Sequence, residues 1–570
     1  LGSGVTVALK SDGQVEAVVL AAESIGTETE FQSGRCDNTT AVYDVNANKI
    51  VIFYKLNSSA SYGVVGTVSG SSISFGTPVS TGNTGINSIM GSIFDPDTNK
   101  VLFGFRTSGA GGVKVLVGTV SGTSISFGTA VSIDNGSNED GSTMAYDANA
   151  QKVVVNYPSA NNSQYGASVI GTVSGTSISF GTPVVYTSSA INTSSGTSTV
   201  YDPVSQKVLI GYRDNSVARG YGIVGTVSGT SISFGTAAKY SGDNVPASMV
   251  LGYSTSASKI LIVYENQNTN DGLALTATIS GTSVSYGTSL LWVSNGFKLG
   301  AINTVALNED TNANLMVLGF TNNSSQGQVI SFSISGTTVT AATSITTWDA
   351  GTQTYYIGGA YHTVEKKTIF SWGQSFSTGE AITYSPSFTN LSATTFIGIT
   401  DADIANAASG SVTIKGGIST IKGGTYAVTV VNSGSGNKYA INGVEQSVLN
   451  LYEGATYKFD QSSGTNSGHP FRFSTTADGT HGGGSEYTTG VTTSGVPGNA
   501  GAYTQIVVAS GAPTLYYYCS VHSGMGGTAN TLAIVPNSNY YVQNDGTLTT
   551  TTSTVLAGRA LSSTSINLDY

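Results

Sequence analysis

The sequence predicts an all-β protein, because its main features are typical of short strands joined by tight turns. The phrase Gly-Thr-Val-Ser-Gly recurs at intervals of about 52 to 55 residues, a spacing found in repeats of four strands. Only 9% of the 570 residues are charged, and Gly, Ser, Thr and Asn separate short apolar runs. A chain of this length exceeds one hydrophobic core of ordinary size, so we expect at least two domains.

The repeat occupies the first two-thirds of the chain. Copies of the phrase end at Gly70, Gly122, Gly175 and Gly229, and looser copies end at Gly281 and Gly336. A second landmark, a polar residue followed five positions later by lysine, runs in phase with the first. Its copies are Asp44 with Lys49, Asp95 with Lys100, Asp147 with Lys152, Asp202 with Lys207, Ser254 with Lys259 and His362 with Lys367, while Asn308 with Asn314 is a degenerate copy one residue longer. Together the landmarks define seven units.

Each unit is predicted to form four antiparallel strands. In the second unit these are residues 89–94, 101–106, 113–120 and 124–129, with turns at 95–99 and 121–122. Seven such units predict a seven-bladed β-propeller over residues 1–390. The last unit lacks strands after Ser385. Residues 5–10 and 15–22, within a closing segment 1–31, are therefore expected to complete it and remove its exposed edge. A linear β-solenoid is the alternative, although its repeats are usually shorter.

Two sets of repeated side chains have both a structural and a functional interpretation. The turn carboxylates, beginning with Asp44, are expected to accept hydrogen bonds from turn amides, and the alternative is a ring of ligands for a sugar or metal ion. Tyr62, Tyr165 and Tyr221 occupy matching repeat positions. We favour packing between blades for these rings, and the alternative is that they stack on sugars.

The last third of the chain holds residues typical of a metal site. His469 precedes a predicted strand, and the run Cys519-Ser520-Val521-His522-Ser523-Gly524-Met525 ends another. Two imidazoles, a thiolate and a weak axial thioether are the ligands of a mononuclear blue-copper site, and the soft thiolate selects copper over harder ions. The only other cysteine, Cys36, lies in a different predicted domain, so no disulfide competes for the thiolate.

Residues 424–535 resemble a cupredoxin with the short ligand loop of the amicyanin type, which implies a Greek-key sandwich that binds copper. The ligands implied by this resemblance are His469, Cys519, His522 and Met525. Val521 stands where small cupredoxins usually have proline, and Gly526-Gly527 follows the methionine, so a looser loop is expected. His481 is an additional imidazole near the site. The alternative is a cupredoxin-like sandwich whose copper site is empty or purely structural.

The segments that flank this region carry a second resemblance. Residues 396–402 and 410–417 on one side, and 540–548 and 555–562 on the other, resemble the halves of a small β-module found near the C-termini of marine bacteriophage fibre proteins. The module would span residues 391–423 and 536–570, with the cupredoxin-like domain inserted at a loop tip. The propeller repeat and the opening segment 9–16 are likewise similar to structural proteins of cyanophages and pelagiphages.

These resemblances imply a virion appendage, such as a tail fibre, spike or capsid fibre, that presents binding domains on the virion surface for attachment to the host. The implied partners are other virion proteins, reached through a segment preceding Leu1, a host-surface glycan or outer-membrane protein, and further copies of the chain in a homo-oligomer. The alternative is a secreted or cell-surface copper-binding cupredoxin protein on a propeller scaffold.

Several other classes of function are disfavoured. A formal net charge of −10 without any basic run argues against nucleic-acid binding. No apolar stretch approaches the ~20 residues that a membrane-spanning helix needs. Acidic residues are scarce and mostly lie at repeated turns, so no pair suggests a glycosidase. No nucleophile elbow precedes a helix either. We therefore expect a protein that is not an enzyme, with copper as the one possible cofactor.

Overall fold

A computed structural model gives the fold of most of the chain. It describes residues 6–9, 15–18, 20–56, 60–108, 111–134, 141–193, 197–242, 249–297, 305–349, 354–374, 378–389, 391, 396–400, 412–414, 417–432, 436–553, 555–563 and 565–568. Within these ranges the regular structure is almost entirely β-strand, which confirms the predicted all-β class. The described helices are short 3-10 turns at Ala160–Asn162, Gly464–Asn466 and Gly479–Gly482. Among the described residues, no helix has the length and apolar character required to span a membrane.

The chain divides into two compact units, which we name the repeat domain and the split domain. The repeat domain is Ala22–Ser387, and the split domain combines Leu1–Ala21 with Phe388–Tyr570. The sequence repeats lie in the first and the predicted metal ligands lie in the second.

The described residues of the repeat domain form seven antiparallel sheets of the same design, which we number 1 to 7 in the order of their first strands. In each sheet the first four strands lie side by side in that order, and a fifth strand also pairs with the third. The first strands are Cys36–Asp44, Ile86–Asp95, Thr143–Asp147, Thr197–Asp202, Met249–Ser254, Val305–Asp310 and Thr354–His362. The second strands are Lys49–Leu56, Lys100–Thr107, Lys152–Ser159, Lys207–Asp214, Lys259–Asn266, Leu315–Thr321 and Lys367–Gln374. Each sheet therefore has five strands rather than the four that the sequence predicted.

The outer strands complete each sheet. The third strands are Ala60–Ser69, Val113–Ser121, Tyr165–Ser174, Arg219–Ser228, Asp271–Ser280, Gly327–Ser335 and Thr378–Ser385. The fourth strands of sheets 1 to 6 are Ser72–Phe75, Ser124–Phe127, Ser177–Phe180, Ser231–Phe234, Ser283–Tyr286 and Thr338–Ala341. The fifth strands of these six sheets are Val79–Ser80, Val131–Ser132, Val184–Ala190, Ala238–Lys239, Leu290–Val293 and Thr346–Asp349.

Sheet 7 is completed by strands from the other end of the domain. Ser24–Ile25 and Thr29–Gln32 both pair with Thr378–Ser385. The prediction that residues 5–10 and 15–22 complete this sheet is wrong, because Thr6–Leu9 and Val15–Ala17 pair with each other, and Thr6–Leu9 also pairs with Phe396–Thr400. Of the described residues in the expected closing segment 1–31, those from Ser24 onward enter sheet 7.

Neighbouring sheets contact each other through their first strands. The first strand of each sheet contacts that of the next, and Thr354–His362 of sheet 7 contacts Cys36–Asp44 of sheet 1. Apolar clusters fill the space between sheets. Between sheets 1 and 2, for example, the fully buried rings of Phe53 and Phe103 stack with centroids 4.7 Å apart. Such buried aromatic pairs are large contributors to stability.

The hairpin between the third and fourth strands follows from local sequence. In sheet 2, Ser121 pairs with Ser124, so the turn consists of Gly122 and Thr123, one residue later than predicted. Gly122 has φ of +60°, a left-handed conformation that costs glycine little. Beyond the turn Ile125 is buried while the flanking serines are exposed, as the alternating sequence predicts.

Each turn between a first and second strand is capped by the side chain that ends the first strand. The amide three residues later donates to it in every sheet: to Asp44, Asp95, Asp147, Asp202, Ser254, Asp310 and His362. The predicted capping role is thereby confirmed. In sheet 6 the prediction selected the wrong residues: Asp310, which pairs with Leu315, holds this position rather than Asn308 with Asn314.

The split domain contains five sheets among its described residues. Thr6–Leu9, Val15–Ala17, Phe396–Thr400 and Val412–Thr413 form one, and Leu20–Ala21 with Phe388–Thr389 forms a second. A third contains Ile418–Thr420, Asn539–Val542, Leu548–Thr549, Leu556–Ser562 and Ser565–Leu568. Among the described strands of the expected module, Ile418–Thr420 pairs with Ser565–Leu568, whereas Phe396–Thr400 pairs with Val412–Thr413 in the first sheet. Residues 401–411 of the expected module lie outside the described residues.

The two remaining sheets of the split domain share one apolar core. The first contains Val444–Glu445, Asn437–Ile441, Gly423–Asn432, Thr456–Asp460, Tyr503–Val507 and Val491–Ser494. The second contains Leu449–Tyr452, Gly527–Leu532, Leu515–Cys519 and Phe471–Ser474. The core joins Phe459 of the first sheet to Phe471 and Tyr517 of the second. Phe471 stacks on both rings, at centroid distances of 4.8 and 5.1 Å. Because it begins its strand, this stacking fixes the position of the residues just before it.

Candidate metal centre

His469 is held by its backbone at the entrance to the strand Phe471–Ser474. Its amide donates to the Asn466 carbonyl at 2.8 Å. Its carbonyl accepts two hydrogen bonds, from the Tyr439 hydroxyl at 2.8 Å and from Gln461 Nε2 at 2.9 Å. Gln461 is itself buried, so this support is rigid. The imidazole is consequently carried on a fixed backbone while its side chain stays half-buried.

Cys519 ends the neighbouring strand and is fully buried. It lies opposite Phe471 in the antiparallel pair, and the next amide, that of Ser520, donates to the Pro470 carbonyl at 3.1 Å. Strand register therefore places the thiol beside the segment that carries His469. Sequence spacing alone does not give this proximity, because 50 residues separate the two side chains.

His522 and Met525 follow in the loop after Cys519. His522 is exposed, whereas Met525 is 1% exposed and belongs to the same apolar cluster as Cys519. The Met525 carbonyl accepts from the Tyr439 amide at 2.9 Å. Tyr439 thus supports both halves of the site, through its hydroxyl at His469 and through its amide at Met525.

The three nitrogen and sulfur donors converge. Cys519 Sγ lies 3.9 Å from His469 Nδ1 and 3.7 Å from His522 Nδ1. The imidazole rings have centroids 4.6 Å apart, and one ligand atom from each residue lies within 4.8 Å of the other two. The structure therefore brings together three of the four predicted ligands and places the fourth, Met525, buried in the same loop.

This donor set fits a metal ion bound by sulfur and nitrogen. Bonds of about 2.0 to 2.3 Å at tetrahedral or trigonal angles separate neighbouring sulfur and nitrogen ligands by about 3.6 Å. The observed separations of 3.7 and 3.9 Å are close to that value. One thiolate with two imidazoles and a nearby thioether is the ligand combination of mononuclear copper sites. His469, Cys519 and His522 therefore fit a bound metal ion in both donor type and spacing.

Electrostatics favour the neutral form of His469. Burial lowers the pKa of His469, and the neighbouring His522 ring lowers it further, so the neutral imidazole with a free lone pair is favoured. Burial, followed by the nearby Cys519 thiol, raises the pKa of Tyr439. The Tyr439 hydroxyl therefore stays protonated and remains a donor to the His469 carbonyl.

Other candidates from the sequence take structural positions. His481 lies outside the donor group, and its Nε2 is 3.0 Å from the Cys519 carbonyl. The turn carboxylates cap turns, as described above. Tyr62 and Tyr221 are half-buried and stack on tyrosines of their own sheets, Tyr54 and Tyr212, at 5.9 Å each. Both rings also pack on apolar clusters that reach the neighbouring sheet, Tyr62 with Ile369 of sheet 7 and Tyr221 with Tyr186 of sheet 3, so the predicted packing between sheets is confirmed for these two residues.

Tyr439 and Gln461 are parts of the site that sequence reasoning missed. Both contact the His469 carbonyl, and neither belongs to a recognisable spacing pattern. A buried polar residue directly after a strand, such as Gln461 after Thr456–Asp460, is the nearest available signal, because a buried amide needs partners.

Comparisons with known proteins give a limited result. No family model and no curated protein matches the chain. Among solved structures, the chain is similar to a proposed 6-phosphogluconolactonase from Bacteroides uniformis at 9% identity, over 54% of this chain and 85% of that one, with a TM-score of 0.41. It is also similar to AofleA from Arthrobotrys oligospora at 7% identity, over 62% and 95% of the two chains, with a TM-score of 0.38. A third similarity is to the Aleuria aurantia lectin at 12% identity, over 56% and 97%, with a TM-score of 0.34. At these values the likeness does not extend to function.

Proposed function

We propose that this chain is a non-enzymatic binding and structural protein whose split domain carries a cupredoxin-like copper site. The ligands are His469, Cys519, His522 and Met525. The observation that carries the proposal is the approach of both imidazole Nδ1 atoms to within 3.7 and 3.9 Å of the Cys519 sulfur. The cupredoxin-like domain is inserted between the two halves of a small β-module, which the pairing of Ile418–Thr420 with Ser565–Leu568 supports.

The repeat domain is proposed to be a seven-bladed β-propeller. Two observations support this: the seven sheets share one strand order, and their first strands contact one another in a series that returns from sheet 7 to sheet 1. Completion of sheet 7 by residues 24–32 leaves that ring without a broken blade. Such a ring is a rigid scaffold for display of binding surfaces.

The residues of the split domain would hold copper in a protected setting. Copper bound by a thiolate and two imidazoles supplies one-electron chemistry and an intense charge-transfer absorption. Full burial of Cys519 excludes water from the sulfur, and the backbone bonds to His469 fix one imidazole. Exposure of His522 leaves the other open to solvent.

The copper proposal is tested by titrating the full-length protein with Cu(II). One equivalent is expected to bind and to give an intense visible absorption. Cys519→Ala is expected to abolish that absorption, because Cys519 is the one described thiol in the donor group. Cys36→Ala is the matched control, since Cys36 is also a buried free thiol but lies in the repeat domain. Absence of bound copper in the wild-type protein, or equal absorption in Cys519→Ala, contradicts the proposal.

The biological setting proposed for this protein is a virion appendage that attaches to a host-surface glycan or outer-membrane protein. The repeat phrase and the segments at 396–402 and 540–548, which are similar to marine phage structural proteins, support it. Antibodies against the repeat domain are expected to label intact phage particles in electron micrographs. Labelling confined to cell envelopes instead favours the alternative, a secreted or cell-surface copper protein.

A further inference from the structure

The loop that carries three of the four ligands accepts hydrogen bonds from, and donates them to, side chains that are not themselves ligands. Position 521 in this loop is valine rather than proline, and the two glycines Gly526 and Gly527 follow Met525, which predicts a loose loop. In the structure, however, the backbone polar groups on both sides of Met525 are bonded. The bonds come from three separate segments of the split domain.

Asp478 and His481 hold the loop from one side. Asp478 Oδ1 accepts from the Gly524 amide at 2.8 Å, and His481 Nε2 lies 3.0 Å from the Cys519 carbonyl. Both residues belong to one short segment, the 3-10 turn Gly479–Gly482 and its preceding residue. That turn packs closely on Tyr518, since a Cβ at Gly479 would meet the Tyr518 ring at 2.4 Å. One compact segment therefore spans the loop from its first residue to Gly524.

The backbone of Asp478 indicates that its carboxylate is committed to the loop. Asp478 has φ of +57°, a left-handed conformation that is uncommon outside glycine. It stands at the cap position of the 3-10 turn, yet its side chain makes no capping hydrogen bond there. The side chain instead reaches a residue 46 positions away. A residue that gives up its local bond for a distant one is the kind of local exception expected at functional sites.

Lys438 and Gln446 hold the same loop from a second side. Lys438 Nζ donates to the Gly524 carbonyl at 2.5 Å. Gln446 Nε2 donates to the Gly526 carbonyl at 2.5 Å and to the Gly524 carbonyl at 3.3 Å. With Asp478 on its amide and Lys438 on its carbonyl, Gly524 has both backbone polar groups bonded to ionisable side chains. Met525 is therefore fixed by the bonds to its neighbours and by the Tyr439 amide at its own carbonyl.

We propose that Asp478, His481, Lys438 and Gln446 form a brace of positioning residues that keeps the ligand loop in its metal-binding conformation before metal enters. This inference rests on the proposed copper site. The brace replaces the rigidity that a proline at Val521 would give the loop. Because the loop is already ordered, little conformational entropy is lost when the thioether and the second imidazole take up the metal.

The main test compares Asp478→Ala with Asp478→Asn in the full-length, metal-free protein. Loss of a charge-assisted hydrogen bond is expected to speed hydrogen exchange across residues 519–526 by roughly tenfold to a hundredfold in Asp478→Ala. Asp478→Asn retains an acceptor oxygen and is expected to recover most of the protection. Asp545→Ala is the control, because Asp545 also accepts from a turn amide, that of Thr547, but outside the brace. Exchange equal to wild type in Asp478→Ala overturns the brace.

A second measurement uses Cu(II) as the probe. Asp478→Ala is expected to release copper roughly tenfold faster and to shift the charge-transfer absorption, while Asp478→Asn stays near wild type. An unchanged spectrum and release rate in Asp478→Ala overturn the positioning role even if exchange is faster. Failure of the wild type to bind copper overturns the copper function itself, which the metal-free experiment does not depend on. His481→Ala, at an exposed residue, provides an independent variant with the same expected direction.

Discussion

The repeat domain and the split domain place their polar side chains according to different rules. In the repeat domain, one polar contact recurs in all seven sheets, where the last side chain of the first strand caps the following turn. In the split domain, the important polar contacts occur once each and join segments distant in sequence, such as the Tyr439 hydroxyl and the His469 carbonyl. A contact that recurs in every sheet indicates a structural role. A long-range contact that occurs once is a better indication of a functional site.

Substitutions in the repeat domain show how a repeated contact tolerates change. Sheet 5 has Ser254 at the capping position, and Glu309 from sheet 6 compensates. Its carboxylate accepts from the Thr255 amide at 2.7 Å and from the Thr255 hydroxyl at 2.7 Å. Sheet 7 has His362, whose Nδ1 accepts from the Glu365 amide at 3.1 Å. No comparable substitute exists among the described residues for the Cys519 sulfur, the one thiol in the donor group.

The two domains also carry separate natural probes. All three tryptophans, Trp292, Trp348 and Trp372, lie in the repeat domain. The split domain contains a single cysteine, Cys519, and it is fully buried. Tryptophan fluorescence therefore reports unfolding of the repeat domain. Thiol labelling in a Cys36→Ala background reports opening of the split domain.

The largest expected effect on stability comes from truncating a buried aromatic side chain in either apolar core. Phe103→Ala removes a fully buried ring stacked at 4.7 Å, and Phe471→Ala removes one stacked on two neighbours. Each is expected to lower the free energy of unfolding of its own domain by about 3–5 kcal/mol. Phe103→Ala should shift the denaturation curve followed by tryptophan fluorescence. Phe471→Ala should instead speed labelling of Cys519.

If each substitution changes the fluorescence-detected unfolding and the labelling rate of Cys519 equally, the two cores unfold together. That result contradicts the distinction drawn between the two domains. Phe471→Ala is also expected to weaken Cu(II) binding, since Phe471 lies opposite Cys519 in the strand pair. Phe103→Ala should leave that binding unchanged. Copper titration of both variants therefore gives a readout of the difference that is separate from stability.

A smaller effect is expected from the compensating carboxylate in the repeat domain. Glu309→Ala removes an acceptor shared by the Thr255 amide, the Thr255 hydroxyl and the Ser254 hydroxyl. We expect a loss of about 1–2 kcal/mol, because several donors at one turn lose their partner together. Chemical denaturation followed by tryptophan fluorescence measures it.

Restoring the repeat's own residue sharpens this test. Ser254→Asp in the Glu309→Ala background supplies the aspartate that five of the first strands carry at the same turn, and it should recover most of the lost stability. Ser254→Asp alone should give no gain, because it places a second carboxylate beside Glu309. Additive effects of the two substitutions contradict compensation, since groups that share a contact are expected to be coupled.

Sequence patterns predicted the repeated parts of the fold well and the pairing of terminal strands poorly. Alternation of apolar and polar residues located the strands of sheet 2 to within a few residues. Residues 15–22 are an apolar run typical of a strand, whereas the segment after Ser24 is mostly polar, so the pattern could not indicate that the latter pairs with Thr378–Ser385. That choice depends on edge hydrogen bonds formed only in the folded chain. The misassigned turn of sheet 6 has a similar origin, since Asn308 and Asp310 are both acceptable turn residues.

The candidate metal site divides in the same way. Its ligands could be predicted from the sequence, because cysteine, methionine and histidine are rare in this chain and their spacing is distinctive. The residues that hydrogen-bond to the ligand backbone could not be predicted. Tyr439, Gln461 and Asp478 are common residue types, and their role depends on which strands become neighbours. Asp478 is an example, since an aspartate before Gly479 predicts a local turn and not a bond to Gly524.

The smallest expected effect is a pH dependence that originates at His362. Burial lowers the pKa of His362 below its ordinary value of 6.5, with Lys49 adding to the shift and Glu365 opposing it. The folded repeat domain therefore favours the neutral ring, which packs against the Tyr43 ring with centroids 4.5 Å apart and accepts from the Glu365 amide through Nδ1. Below pH 6.5 the unfolded chain binds a proton that the folded chain resists.

Because the unfolded state holds more protons in that range, the contribution of His362 to stability is complete above pH 6.5 and is lost as pH falls through the lower folded-state pKa. His362→Asn keeps an acceptor for the turn amide but cannot titrate. We expect the free energy of unfolding, followed by tryptophan fluorescence, to fall less between pH 7 and 5 in His362→Asn than in the wild type. His481→Gln, which removes a histidine from the split domain, should leave this fluorescence-detected slope unchanged. If both variants keep the wild-type slope, His362 is not its source, and the histidine at this turn is equivalent to the aspartates of the other sheets.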